Sequence, residues 1–302
     1  MTTPVHQPTA CASCGGTLLQ EWCRAKDTNR RMSGREFVVA RCSACGIVQT
    51  LPQPTPEELQ TFYPEVYYAD PANVDALRVF QREKLGILQQ FRTDGRLLDV
   101  GAGIGLFVRE AVDAGFDAEG IEISGHAVRT GSARLNVRLT AGDLLDIPIP
   151  ADSFDIVTLW HVLEHLPNPA SVLQAIHRIL RPNGLLLIAV PNIGSIQARV
   201  FRSRWYHLDV PRHLFHYSPE TLAGILQRSG FSVLATRYRS REHNPAGILG
   251  SVLRLSSPGE TTAHKAVRKI LGMPVARVLA ALESSVSRGG TFVMAARPSG
   301  KG

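Results

Sequence analysis

Three groups of residues in this chain of 302 have the types and spacing to do chemistry. The first is a pair of turns, Cys11-Ala-Ser-Cys14-Gly and Cys42-Ser-Ala-Cys45-Gly, which repeat one C-x-x-C-G pattern across a gap of 27 residues. Each turn sets two thiolates on one side, and the glycine lets the backbone curl beneath an ion. Four soft sulfurs suit tetrahedral Zn²⁺, whose binding would itself fold a segment poor in apolar residues. The set is closed, so the expected zinc is structural. Cys23, beside Trp22, is left over as a small packing residue. The second group is Asp99-Val-Gly101-Ala-Gly103-Ile-Gly105, followed by the acid Glu122 seventeen residues on. The third is the histidine-rich pair of stretches His161-Val-Leu-Glu164-His165 and Trp205 to Tyr217, which holds His207, His213 and His216.

These groups need elements to hold them. Glu36 to Arg41 reads as a short strand running into the second cysteine turn, as in a zinc ribbon. Three prolines between Pro52 and Pro56 break regular structure, and apolar positions at helical spacing from Leu77 to Phe91 predict a helix after them. The expected organisation is a zinc ribbon over residues 1–52, a linker and lead-in helix over 53–93, and a second domain over 94–302. Strands are predicted at 96–100, 118–123, 137–140, 154–160, 185–190 and 231–238, alternating with helical segments. That alternation implies a doubly wound α/β domain with a largely parallel sheet, ligands sitting beyond the carboxyl ends of its strands. A last strand is expected over 289–297. An insertion at about 241–288 carries apolar runs with interspersed Arg and Lys.

Composition narrows the class. With 44% hydrophobic and 20% charged residues and a mean hydropathy near zero, the chain is neither disordered nor fibrous. No run of eighteen apolar residues is present, and the first residues lack a basic start with an apolar stretch. The cytoplasm is therefore the expected compartment. Residues 1–177 hold 15 basic and 21 acidic side chains, whereas residues 178–302 hold 18 and 5. The net charge of +7 thus belongs to the C-terminal part, which would draw anionic partners. Residues 246–282 fit either a lid on the sheet or a peripheral contact with the inner membrane face.

The glycine turn follows a buried strand and opens a helix, so its backbone amides and the helix N-terminus can approach a ligand closely. The spacing is G-x-G-x-G, and Asp99 stands two residues ahead of the first glycine. An acid there would repel a pyrophosphate but suits a ligand with a cationic amino-acid end. Glu122, at a neighbouring strand tip, can accept hydrogen bonds from both ribose hydroxyls.

With these residues, the segment from about 95 to 239 resembles the class I S-adenosylmethionine-dependent methyltransferases. Asp99, Gly101, Gly103 and Gly105 look like their first motif, and Glu122 looks like their ribose-binding acid. Gly142-Asp143 matches the position where such enzymes hold adenine, and Trp160 closes their fourth strand. The resemblance implies a seven-stranded Rossmann-like sheet with an antiparallel last strand, S-adenosylmethionine as cofactor and Asp99, Gly101, Gly103, Gly105, Glu122, Asp143 and Trp160 around it. Where the acceptor is a hydroxyl or a carbon acid, a general base is needed near the methyl. His161 at a strand end, His165 one turn on, and His213 and His216 in the following loop are the candidates; Arg212 is a candidate for holding an acceptor phosphate or carboxylate.

H-x-x-E-H is also a zinc-peptidase string, but here it follows a Val/Ile/Leu strand and is cut short by Pro167 and Pro169. Similar E-x-x-E-H strings occur in quinone-precursor O-methyltransferases, some of which are thought to hold a divalent ion there, though here His161 replaces the first acid. Methyltransferases with a leading four-cysteine module include sugar-nucleotide C-methylating enzymes. The resemblance therefore implies a small-molecule acceptor, anionic or sugar-bearing, with a sugar or lipid-linked glycan precursor first. Zinc-ribbon rRNA base methylation, quinone-precursor O-methylation and a non-catalytic binding module are the alternatives.

Overall fold

The computed structural model describes residues 10–17, 19–63, 74–238, 240–254 and 262–300. The N-terminal strands β1 (Leu19–Lys26), β2 (Glu36–Cys42) and β3 (Val48–Leu51) form an antiparallel ribbon, with the expected strand at Glu36 as its centre. Two helices follow, α1 (Pro56–Thr61) and α2 (Val74–Leu88), the second being the predicted lead-in helix.

The second sheet is built from β4 (Arg96–Val100), β5 (Asp117–Glu122), β6 (Arg138–Ala141), β7 (Phe154–Trp160), β8 (Leu180–Pro191), β10 (Phe231–Arg237) and β11 (Thr291–Pro298). Between them run α3 (Leu106–Asp113), α4 (Gly125–Leu135), α5 (Pro169–Ile179), α6 (Ile196–Phe201), α7 (Pro219–Arg228), α8 (His243–Leu253) and α9 (Thr262–Ser285), with a two-residue strand β9 (Phe215–His216) before α7. The strand order is β10-β11-β8-β7-β4-β5-β6. Strand β11 runs antiparallel to both its neighbours, while the pairings among β4 to β8 are parallel. This is the seven-stranded Rossmann-like arrangement that the methyltransferase resemblance implies.

The hydrophobic pattern explains which strands are central. Leu185 to Val190 of β8 and Ile156 to Trp160 of β7 are buried without alternation, as strands covered by helices on both faces must be. The four-residue β6, largely exposed, closes one edge. The chain leaves β4 toward β5 and β6, then returns to place β7 on the other side of β4. That reversal opens a crevice over the carboxyl ends of β4 and β7. Strand β8 starts five residues earlier than expected, because Leu180 already pairs with Phe154.

The ribbon does not stand apart. Strand β9, from the loop after β8, adds to its edge as a fourth strand, with Val48 opposite His216 and Gln49 opposite Phe215. Phe37, Val39 and Val48 share a core with Ile193, Ala198, Trp205, Leu208 and Val210. Full burial of such side chains contributes about 1.5–3 kcal/mol each, so a hydrophobic core crosses the boundary expected at residue 52.

In the insertion, Ile248 and Leu249 of α8 pack on Ala276 and Ala280 of α9. The opposite face of α9 exposes Val275, Val278, Leu279 and Leu282. Within the stretch 246–282, expected as a lid or a membrane contact, residues 255–261 and the side chains of 262–271 lie outside the described ones. No helix among the described residues is long and apolar enough to cross a membrane.

Candidate active site and cysteine centre

The two cysteine turns are near copies. The Cys11 amide donates to the Gly16 carbonyl and the Gly15 amide to Cys11; the Cys42 amide donates to Ile47 and the Gly46 amide to Cys42. Gly15 and Gly46 hold φ of 73° and 75°, in the left-handed region that glycine reaches without strain. The four sulfurs lie within 4.8 Å of one another, with Cys11 to Cys45 at 3.8 Å and Cys14 to Cys42 at 3.7 Å. A disulfide would need about 2.05 Å, whereas a tetrahedron with Zn–S of about 2.3 Å has edges of about 3.8 Å. The set therefore fits a closed zinc site.

At the crevice, Gly101, Gly103 and Gly105 all have positive φ, at 72°, 57° and 81°. A Cβ on Gly101 would sit 2.4 Å from Val162 Cγ2, so the turn is possible there only without a side chain. Glu122, buried at the end of β5, accepts from the Gly103 amide through one carboxylate oxygen and from the Ser124 amide through the other, both at 2.9 Å. It thereby ties the glycine turn to the start of α4, and each oxygen keeps a lone pair for a ribose hydroxyl. Asp99 is also buried; burial pushes its carboxyl up to about 7, against a 2.6 Å hydrogen bond from Thr158 Oγ1. Asp99 thus braces β4 against β7. Asp143 is exposed at the rim and accepts from the Leu145 amide at 2.9 Å. Trp160 ends β7 with its ring edge-on to Phe107 at 5.2 Å.

Beyond Trp160 lies a small, partly open cavity of about 30 Å³, lined by Lys84 and Phe80 from α2, Trp160 and His161, and Glu242 and His243 from the insertion. His161 has φ of +60°, a conformation that a side chain rarely adopts and that here turns the ring into the cavity. Its Nδ1 is 3.4 Å from Glu164 Oε1, and its ring meets that of His243 at 4.0 Å. Burial and the nearby Lys84 hold His161 well below the ordinary histidine range, so its ring is neutral near pH 7. The approach to Glu164 falls outside hydrogen-bond geometry, and the neutral ring keeps a lone pair on one nitrogen. The H-x-x-E-H string is not within a long helix: it spans a strand end and the short 3-10 turn Leu163–His165.

The other histidines are placed differently. His165 Nδ1 lies 2.7 Å from the Tyr63 hydroxyl and 3.1 Å from the Arg212 carbonyl, and its ring abuts His213. His213 Nδ1 donates to the His207 carbonyl at 2.8 Å, while His216 Nε2 contacts Thr50 Oγ1 at 3.0 Å inside the ribbon interface. Burial lowers both His213 and His216 to about 3. Neither lines the cavity. Arg212, expected at the acceptor, is instead wholly buried between Asp27 and Asp209. Glu164, His165 and His213 bring one ligand atom each within 4.8 Å, and neither Glu164 oxygen has a hydrogen-bond partner among the described residues, so this trio has the donors for a divalent cation. Lys84, Glu242 and His243 are the cavity residues that motif reading missed. They belong to no motif, and only α2's helical pattern pointed toward the first.

Comparison with known proteins agrees with this geometry. A family model described as a methyltransferase domain matches residues 72–236, more than half of the chain. The ubiquinone biosynthesis O-methyltransferase of Paracidovorax citrulli is 30% identical over 164 residues, covering 50% of this chain and 68% of that protein. The protein of the same name from Ralstonia nicotianae is 29% identical, with 50% and 67% covered. Among solved structures, a SAM-dependent methyltransferase from Archaeoglobus fulgidus has TM-score 0.51 and 18% identity, covering 72% of this chain and 93% of that one. A phosphoethanolamine N-methyltransferase of Haemonchus contortus in complex with S-adenosyl-L-methionine has TM-score 0.55 and 17% identity, covering 93% and 68%. A glycine turn tied to a buried acid at the neighbouring strand tip, on this strand order, and a family model over most of the sheet make this chain a member of the S-adenosylmethionine-dependent methyltransferase family.

Proposed function

We propose that this enzyme methylates a hydroxyl group of a small aromatic acceptor, with His161 as the general base. The observation that carries the reading is His161 itself: a strained residue at the carboxyl end of β7, facing the cavity, with Nδ1 against a buried Glu164. Bound S-adenosylmethionine supplies a methyl group on a good leaving group, so the protein has chiefly to align and deprotonate. The glycine turn, Glu122 and Asp99 hold the donor side. Phe80, Ile87, Trp160 and Val293 give the cavity an apolar wall suited to a flat ring. Bound donor would supply the methyl group and keep the carbon–sulfur electron pair on its departing sulfur, while the lone-pair nitrogen of His161 would take the proton of the acceptor hydroxyl. Glu164 stabilises the imidazolium so formed, as a carboxylate does for a catalytic histidine. The names of the relatives support an oxygen acceptor.

A sugar or lipid-linked glycan precursor is the second reading, favoured by the Trp160 ring at the cavity, on which a sugar face can stack. A panel of catechols and sugar nucleotides with radiolabelled S-adenosylmethionine separates the two. For either hydroxyl acceptor, His161→Ala lowers kcat by roughly 10²–10⁴-fold while S-adenosylhomocysteine still binds. Full turnover by that variant would overturn the role of His161.

A further inference from the structure

Lys84, on α2, is the one lysine among the residues lining the cavity, and it is half-buried there. Its ammonium lies 5.6 Å from the centroid of the Trp160 ring. Among the described residues no carboxylate oxygen comes within 4.0 Å of it. The acids around it are used elsewhere: Glu83 accepts from the Arg241 amide at 2.9 Å, Asp99 from Thr158, and Glu242 lies 3.3 Å from His243 Nε2. Burial penalises its charge, and the more distant Glu242, Asp99 and Glu83 offset that only in part. Half-buried and beside the Trp160 ring, the ammonium is partly out of water, which costs free energy that a ligand anion would offset. The Glu83–Arg241 contact also pins α2 to the insertion, so the ammonium is presented on two packed elements.

We infer that Lys84 is an anion-recognition residue that binds a carboxylate of a ligand in the crevice. Two ligands could bring that carboxylate, the amino-acid end of S-adenosylmethionine or an acidic acceptor. Only the second source rests on the hydroxyl-methylation reading.

Calorimetry on the full chain distinguishes them. The donor arm compares S-adenosylhomocysteine with 5′-methylthioadenosine, which lacks the amino-acid end. The acceptor arm compares 3,4-dihydroxybenzoate with catechol on protein saturated with S-adenosylhomocysteine. Lys84→Met should weaken the carboxylate-bearing member of one pair by about tenfold or more, as loss of a charged hydrogen bond does. The neutral member should stay within about twofold, and Lys84→Arg should restore most of the difference. Loss on S-adenosylhomocysteine assigns the donor, and loss on dihydroxybenzoate assigns the acceptor. If Lys84→Met leaves both pairs unchanged, or weakens both members of each pair equally, the inference is overturned. Full turnover by His161→Ala, which would sink the base assignment, leaves the donor arm intact.

Discussion

Arg212, in the loop between α6 and β9, donates to both carboxylate oxygens of Asp27 in the ribbon, at 2.9 and 3.2 Å, and both side chains are wholly buried. Asp209 completes the set by accepting from Arg212 at 2.7 and 3.0 Å. The ribbon therefore holds the loop that carries His207 and His213. Arg212→Met leaves the buried Asp27 and the partly buried Asp209 without their cation, and breaking such a set costs about 3–5 kcal/mol. Chemical denaturation should show a loss of that size, and a loss below about 1 kcal/mol would contradict the burial of the pair.

The same contact sets an acid limit. Burial alone would raise the Asp27 carboxyl, but the Arg212 guanidinium and the amides of Arg30 and Met32 outweigh it and hold the group below its ordinary range. A lowered folded pKa means the contribution is present above the unfolded value of about 3.9 and lost as pH falls through the folded one. Stability measured from pH 6 downward should drop through the acid range in the wild type. Asp27→Asn should start lower and fall less steeply.

Zinc removal should act on both sheets. Because β3 pairs with β9 and Thr50 Oγ1 donates to the His213 carbonyl at 2.7 Å, unfolding the ribbon frees the loop that carries His213 and packs against His165. Elemental analysis should find about one zinc per chain held by four cysteines. Chelation under denaturing-permissive conditions, or Cys42→Ser, should lower the melting temperature and the methylation rate together. Unchanged melting after the metal is stripped would show that the ribbon stands without it.

Donor binding should fail at two positions for separate reasons. Gly101→Ala meets Val162 and a positive φ, so it should disturb the turn itself. Glu122→Gln keeps the shape but offers one acceptor oxygen where two amides and a ribose need accepting. Titration with S-adenosylhomocysteine should show affinity reduced by about tenfold or more for the second. Retained affinity in both variants would remove the donor site from this crevice.

The exposed stripe Val275, Val278, Leu279 and Leu282, on the basic half of the chain, should bind anionic vesicles. In flotation with phosphatidylserine vesicles, Val278→Ser with Leu282→Ser should reduce recovery in the floating fraction. Equal recovery would assign the stripe another partner.

What the sequence by itself determined is what local chemistry can encode: buried strands as unbroken Val, Ile and Leu runs, the glycine turn with Asp99 and Glu122 at strand tips, and the doubled cysteine turns. Each is a short segment whose conformation follows from its own residues. The tertiary structure alone decided where the histidines and cations went. His161 and His243 meet across 82 positions, and Lys84 reaches Trp160 from a helix before the glycine turn. His216 and Arg212, which read as site residues, were drawn into the ribbon interface, where Thr50 meets the Nε2 of His216 and Asp27 and Asp209 take the guanidinium. A buried charge or imidazole settles where its hydrogen-bond partners lie, and those partners came from segments too distant in the chain for spacing or periodicity to pair.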